Sequence, residues 1–331
     1  MTERNSNIAL ILAARHQMIL TIGEILVEFL ASKVGQDFRA PGLLEGPFPS
    51  GAPAVFIDQV ARLENPCGII SALGRDDFGF LTLARLKSHD VDVSAVQMLD
   101  DLPTGTAFVR YHESGERDFV FNLKHSACSQ ISLTKQASAL LDRCTHLHIM
   151  GSSLFSFKMI DLTKTAIGIV RKAGGTVSFS PNVSKELLKI PEMRAALEYM
   201  TELCDLFLPN SGELAFLAKS RNEKQAVQEM FDLGVPCVVV RQGDKGATYF
   251  DAARTVHSPA FDVTAVDRTG AGDCFTGTFI SFWLRRNEIE TCLRYANASG
   301  ALAMMSKGPM EGTSSKTDLD RFLQRGGASL Q

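Results

Sequence analysis

From Met18 onward, short apolar runs suited to strands alternate with amphipathic stretches suited to helices; "MILTIGEIL", "PAVFIDQVARL", "CGIISAL" and "FGFLTLARLKSH" open the series. The rhythm resumes in "THLHIM", "TVSFS", "CDLFLPN" and "VPCVVVRQG", with a helix-length segment between each pair. Parallel neighbours in a sheet cannot be joined by a tight turn, so this alternation predicts a doubly wound, mostly parallel α/β sheet flanked by helices. A chain of 331 residues can close one large core of this kind over residues 18–331. Two stretches, about 27–50 and 103–124, lack the helical period. In the second, "TAFVRYHESGERDFVF" reads as a β-hairpin turning at Ser114 and Gly115, and the two stretches are expected to form a small β lid over an active site. Residues 1–17 fall outside the rhythm and are expected to be an extension, with Met18 as the start of the folded unit.

Composition narrows the partners. A formal net charge of -3 provides no concentrated basic surface, which argues against nucleic acid and anionic membranes and for a small molecule. The apolar stretch "NIALILAARHQM" is shorter than the ~20 residues of a membrane span and lacks a basic lead. Seven cysteines, odd in number and scattered, read as reduced thiols of a cytoplasmic protein. Cys144, His146 and His148 alternate in "CTHLHI"; three residues so close on one strand cannot surround a tetrahedral ion, so the histidines are expected to be satisfied core residues.

The segment "DRTGAGDCF" (267–275) precedes an apolar stretch in which Phe275, Phe279 and Phe282 recur at helical spacing. Gly270 and Gly272 therefore stand at a helix N-terminus, where the first amides have no intrahelical acceptor and the dipole favours an anion. Side-chain-free residues let a phosphate reach those amides, and Asp273 in the same turn can take a proton from a hydroxyl. The dipole is expected to hold this carboxylate ionised. The same residues also suit an ordinary N-terminal cap, and spacing alone does not choose between the two.

"DRTGAGDCF" resembles the signature of the ribokinase-like (phosphofructokinase B) family of ATP-dependent carbohydrate kinases, with Arg268 a familiar variant at the second place. The similarity continues through most of the chain. "GEILVE" resembles the family's first strand, with Glu28 in place of the usual sugar-binding aspartate. "PSGAPAVFIDQVARL" resembles the Gly-Gly-Ala-Pro-Ala-Asn segment, with Ser50 for the first glycine and Phe56 near the asparagine. "SALGRDDFG" matches through Gly74, Asp76 and Gly79, and "LPNSGEL" carries Asn210 and Glu213 of the Asn-x-x-Glu motif. "VVVRQGDKGA" resembles the nucleotide-binding turn through Arg241, Gly243 and Gly246, and "YANASGALA" the helix bordering adenine through Asn297 and Gly300.

The resemblance implies a kinase that transfers the γ-phosphoryl group of ATP to a sugar hydroxyl. The amides of Gly270, Ala271 and Gly272 would face that phosphoryl group and Asp273 would be the base. Magnesium is implied with the nucleotide, organised by Glu213 through water, and a potassium ion near Asp267. The segments "KHSACS" and "KGPMEGTSSKTDLDRF" resemble a subgroup of tagatose and 2-keto-3-deoxygluconate kinases. Leu123 and Ser184 stand where the acid-sugar kinases carry arginines, so a neutral ketohexose is expected, tagatose first and fructose second. Glu28, Gly51, Lys124 and Asn182 are its expected contacts, while Ser180 departs from a common aspartate. An acid-sugar or nucleoside kinase and a catalytically inactive sugar-binding homologue are the alternatives. A homodimer is expected through the lid, whose strand edges invite pairing.

Overall fold

The computed structural model describes residues 18–114, 116–183, 193–220 and 222–326. The expected extension 1–17, Gly115 and Ser184 lie outside the described residues. The described chain begins with β1 (Ile19–Ile22), β2 (Leu26–Ala31), β3 (Leu44–Ser50), α1 (Ala52–Arg62), β4 (Cys67–Gly74), α2 (Asp77–Ser88), β5 (Val96–Leu99), β6 (Gly105–Tyr111) and β7 (Arg117–Asn122). It continues through α3 (Lys135–Arg143), β8 (His146–Met150), α4 (Phe157–Lys172), β9 (Thr176–Ser180), α5 (Met193–Leu203), β10 (Leu206–Phe207), α6 (Ser211–Leu217) and α7 (Glu223–Asp232). The last elements are β11 (Cys237–Arg241), β12 (Ala247–Phe250), β13 (Thr255–Ser258), α8 (Ala271–Leu284), α9 (Ile289–Met304) and α10 (Lys316–Gln324).

The main sheet has the order β13-β12-β11-β10-β9-β8-β1-β4-β5. Pairing is parallel from β11 to β5, and β12 and β13 add an antiparallel edge. The sheet is buried on both faces because neighbouring residues point opposite ways. Leu20, Leu147, Val177 and Val238 pack on one side, and Ile19, Ile69 and Val239 on the other with Phe56, Phe279 and Leu293. The chain leaves β1 toward β4 and returns on its other side at β8, so a topological switch point lies between β1 and β8. Ligands of such sheets gather outside the carboxyl ends of the strands at that point.

The histidines of β8 are core residues. His146 contacts Thr176 Oγ1 and Ser178 Oγ, both at 2.8 Å, while His148 contacts Ser178 Oγ at 2.7 Å and stacks on Phe56. Burial pushes the His146 pKa down to about 3, so both ring contacts are those of a neutral imidazole. One departure from full satisfaction is His148 Nε2, which is buried without a protein partner.

The non-helical stretches form a second sheet of order β3-β2-β6-β7. β6 and β7 pair antiparallel from Thr106–Asn122 to Tyr111–Arg117, as a hairpin does. No helix among the described residues is long and apolar enough to cross a membrane.

Asp76 ties the two sheets together. As N-cap of α2 it accepts from Gly79 N at 2.8 Å, and it also accepts from Thr104 N (2.8 Å) and Thr104 Oγ1 (2.7 Å), just ahead of β6. These bonds hold its carboxyl below the ordinary carboxylate range against the opposing effect of desolvation. Asp76→Ala should lose about 1–2 kcal/mol of stability, the cost of an N-cap deletion. Because the folded-state pKa is depressed, the difference from wild type in urea titrations should be full at neutral pH and shrink as pH falls through that value.

Candidate active site

Helix α8 forms the centre of the site. Its N-cap, Gly270, has φ 79°, a left-handed conformation that strains any side chain, and a Cβ there would run into the carbonyl of Pro309. The first bond of the helix runs from Cys274 N to Gly270 O at 2.8 Å, so the preceding amides open the helix and carry its positive end.

Two cavities meet at this turn. The smaller, of about 290 Å³, is lined by Gly270 and Asp273 together with Glu24, Glu28, Gly51 and Asn182. The larger, of about 750 Å³, is lined by Ala271 and Gly272 with Arg241, Gly243, Gly246 and Asn297. Consecutive residues of one turn thus wall off two spaces, one faced by a carboxylate and the other by glycines and a guanidinium. Gly300 and Arg268 also line the larger cavity. A side chain at Gly272 would displace the tip of the Arg241 guanidinium, which lies against this glycine.

Asp273 accepts from Asn182 Nδ2 at 3.0 Å. Asn182 follows β9 in a left-handed conformation, φ 41°, which asparagine tolerates better than most residues. Burial pushes the Asp273 pKa up to about 7, opposed by Arg241 and Arg117 and aided by Glu24 and Glu28. The helix dipole does not keep it in the ordinary carboxylate range, contrary to the sequence expectation, because desolvation in a cavity shared with other acids outweighs it. A base poised near neutral pH suits proton abstraction.

Glu28 is only 6% exposed and receives Ser50 Oγ on Oε1 at 2.6 Å, while its Oε2 has no protein partner. The serine that replaces a glycine therefore has a use: it orients this carboxylate. Burial raises Glu28 to about 7. Glu24 accepts from the hydroxyls of Ser152 (2.9 Å) and Ser153 (2.6 Å), bridging the ends of β1 and β8 at the switch point, and burial raises its pKa as well.

Several expected residues sit differently. Lys124 is exposed in the turn that follows β7 and lines neither cavity, while the neighbouring Leu123 is buried and lines the smaller one. Asn210 and Glu213 line the smaller cavity, not the larger, and form a reciprocal capping box on α6: Asn210 Oδ1 accepts from Glu213 N at 2.9 Å and Glu213 Oε2 from Asn210 N at 2.8 Å. Arg241 Nη2 lies 3.4 Å from Glu213 and 3.2 Å from Ser180 Oγ. Asn297 spends its amide on Ser258 and Pro259, which fixes the wall of the larger cavity. Asp267, 3% exposed, accepts from Thr269 N, Thr269 Oγ1 and Gly308 N and lines neither cavity. Its carboxylate anchors the glycine turn. Phe56 is fully buried in the core.

Sequence reasoning missed Glu24 and Arg117. Arg117, Phe119 and Phe121 of β7 all line the smaller cavity, so a period of two along "RDFVF" was the available signal.

A doubly wound sheet with a helix start shared by two adjoining cavities is the architecture of a group-transfer enzyme acting on two substrates. The profile of the pfkB family carbohydrate kinases matches residues 18–316, and the chain belongs to that family, a phosphotransferase acting on a sugar. A putative ribokinase II from E. coli is 48% identical over 93% of this chain and 99% of its own, with TM-scores of 0.88 for its apo form and 0.87 for its complex with ATP and Mg²⁺. A double-mutant fructokinase from Vibrio cholerae O395, solved with fructose, ADP and a potassium ion, is 27% identical over 93% of this chain and 99% of its own, TM-score 0.80. A probable fructokinase-3 from Arabidopsis thaliana is 27% identical over 93% of this chain and 91% of its own length.

The raised Asp273 pKa has a thermodynamic signature. The folded chain holds this proton to higher pH than the unfolded chain, so ionisation costs stability as pH rises from the ordinary carboxylate value through about 7. Asp273→Asn should therefore melt above wild type at pH 8 and match it at pH 4. A wild-type advantage at pH 8 would show that water reaches the carboxylate.

Proposed function

We propose that this chain is an ATP-dependent kinase that phosphorylates a hydroxyl of a neutral ketohexose, fructose ahead of tagatose. The observation that carries the reading is the shared turn: Asp273 faces a sugar-sized cavity while Ala271 and Gly272 face a second, larger one. Fructose gains precedence from the fructokinases among the relatives. Among the described residues the smaller cavity is lined by four carboxylates, Glu24, Glu28, Glu213 and Asp273, against the single guanidinium of Arg117, a balance that disfavours an acid sugar.

The larger cavity fits a nucleotide. Its glycines permit close approach, the start of α8 favours phosphate, and Arg241 Nε is buried with no protein partner. Arg241, Gly243, Gly246, Asn297 and Gly300 would hold ATP there. Magnesium would be bound mainly by phosphate and water, with Glu213 nearby. Bound ATP with magnesium supplies the phosphoryl group. Within the chain, Glu28 Oε2 accepts a sugar hydroxyl, Asn182 orients Asp273, and Asp273 takes the proton of the attacking hydroxyl. The amides of Gly270, Ala271 and Gly272 stabilise negative charge that grows during transfer.

We assign the small sheet a lid role over the sugar cavity, since β7 lines it, and a role in pairing two copies. Leu44 (39% exposed) and Val120 (55%) share with Phe38 and Phe108 an outer face that a second copy would cover. Seven free cysteines suit the cytoplasm.

ADP release measured over fructose, tagatose, ribose and 2-keto-3-deoxygluconate should show turnover on the ketohexoses. Asp273→Asn should lose ~100- to 10,000-fold in kcat while binding ATP as wild type does. Turnover confined to the acid sugar would overturn the substrate, and an unaffected Asp273→Asn would overturn the mechanism.

A further inference from the structure

Among the described residues Arg117 is the single cation lining the smaller cavity, and it belongs to the small sheet rather than to the main one. Its Nη1 donates to Thr269 Oγ1 at 2.6 Å, across 152 positions of sequence. Thr269 Oγ1 in turn donates to Asp267 Oδ1 at 2.7 Å, and the Asp267 carboxylate also receives Thr269 N (3.0 Å) and Gly308 N (3.2 Å). The residue after Thr269 is Gly270, whose backbone turns the chain into α8. A continuous line of bonds therefore runs from the edge of the small sheet to the start of the helix that holds the base.

Resting on the kinase reading above, we propose that Arg117 is a positioning residue of the transfer site, which fixes the small sheet to the glycine turn through Thr269 and serves as counter-ion to the carboxylates around the sugar. Its ring neighbour supports the pose, with the guanidinium 5.7 Å from the centroid of Phe119, a residue of the same cavity wall. Asp273 is surrounded by Glu24, Glu28 and Glu213 on the acidic side and by Arg117 and Arg241 on the basic side. Arg241 already lies beside Glu213, at 3.4 Å. The charge facing Glu28 and Asp273 from the lid side is thus supplied by Arg117.

Charge and tether can be separated by substitution. Arg117→Gln removes both, Arg117→Lys keeps a charge without the planar fork, and Thr269→Val keeps the guanidinium but removes its acceptor. The Asp273 carboxyl, followed by ¹³C NMR in sugar-free protein and assigned with Asp273→Asn, should titrate about one pH unit higher in Arg117→Gln than in wild type, since a nearby cation has been lost. It should stay near the wild-type midpoint in Arg117→Lys and in Thr269→Val. Turnover on fructose should fall in Thr269→Val through kcat, with the acid limb of its pH profile unmoved, and in Arg117→Gln with that limb displaced upward. An unchanged midpoint in Arg117→Gln would overturn the counter-ion role, and full kcat in Thr269→Val would overturn the tether. If Arg117→Gln fails to fold, a lowered kcat in Arg117→Lys with the midpoint held supports the proposal and an unaltered kcat overturns it. Wild-type inactivity on every ketohexose would instead sink the substrate reading and leave the NMR titration to decide the role of Arg117.

Discussion

The site depends on a single steric demand: the chain must enter α8 through a left-handed residue pressed against the Pro309 carbonyl. Only glycine meets both conditions. Once Gly270 is placed, the direction of α8 follows, and with it the opening amides and the first-turn carboxylate. Asp267 and Thr269 secure the approach from one side, and the packing of Phe275 and Phe279 in the core secures the helix from the other. The geometry of this turn is thus fixed by backbone and core, which are stiff, rather than by surface loops.

Electrostatics at the turn oppose one another. Burial drives Glu28 and Asp273 toward neutrality, while Ser50 and Arg117 draw Glu28 back and Arg241 and Arg117 draw Asp273 back, so both sit near pH 7 rather than at either extreme. Such a balance costs stability but leaves a carboxylate basic enough to accept a proton. The partnerless Glu28 Oε2 has the same character, an unmet hydrogen-bond demand that a polyol can satisfy.

Much of this was legible from residue order. The alternation of apolar runs gave the doubly wound sheet because buried parallel strands need continuous hydrophobic stretches. The glycine turn and Asp273 were legible because few other residues can occupy such a helix start. What stayed hidden depended on contacts across long separations. Arg117 meets Thr269 only after two sheets have packed, and Ser50 meets Glu28 only across the β2–β3 pair. Lys124 stands away from the cavities for a local reason: the chain leaves β7 after Asn122 and turns, which exposes Lys124 while Leu123 stays buried. Burial was also invisible to a helix-dipole argument, which is why the Asp273 proton affinity was misjudged.

The two cavities share the turn at the start of α8, but the smaller one also takes part of its wall from the N-terminal stretch. Glu24, Glu28, Gly51 and Arg117 belong to the first 117 residues, whereas Arg241, Gly246, Asn297 and Gly300 all follow β10. Mutational drift in the N-terminal part can therefore reshape the smaller cavity while the larger keeps its walls. One ancestral scaffold can in this way diversify its clientele without having to reinvent how it handles phosphate.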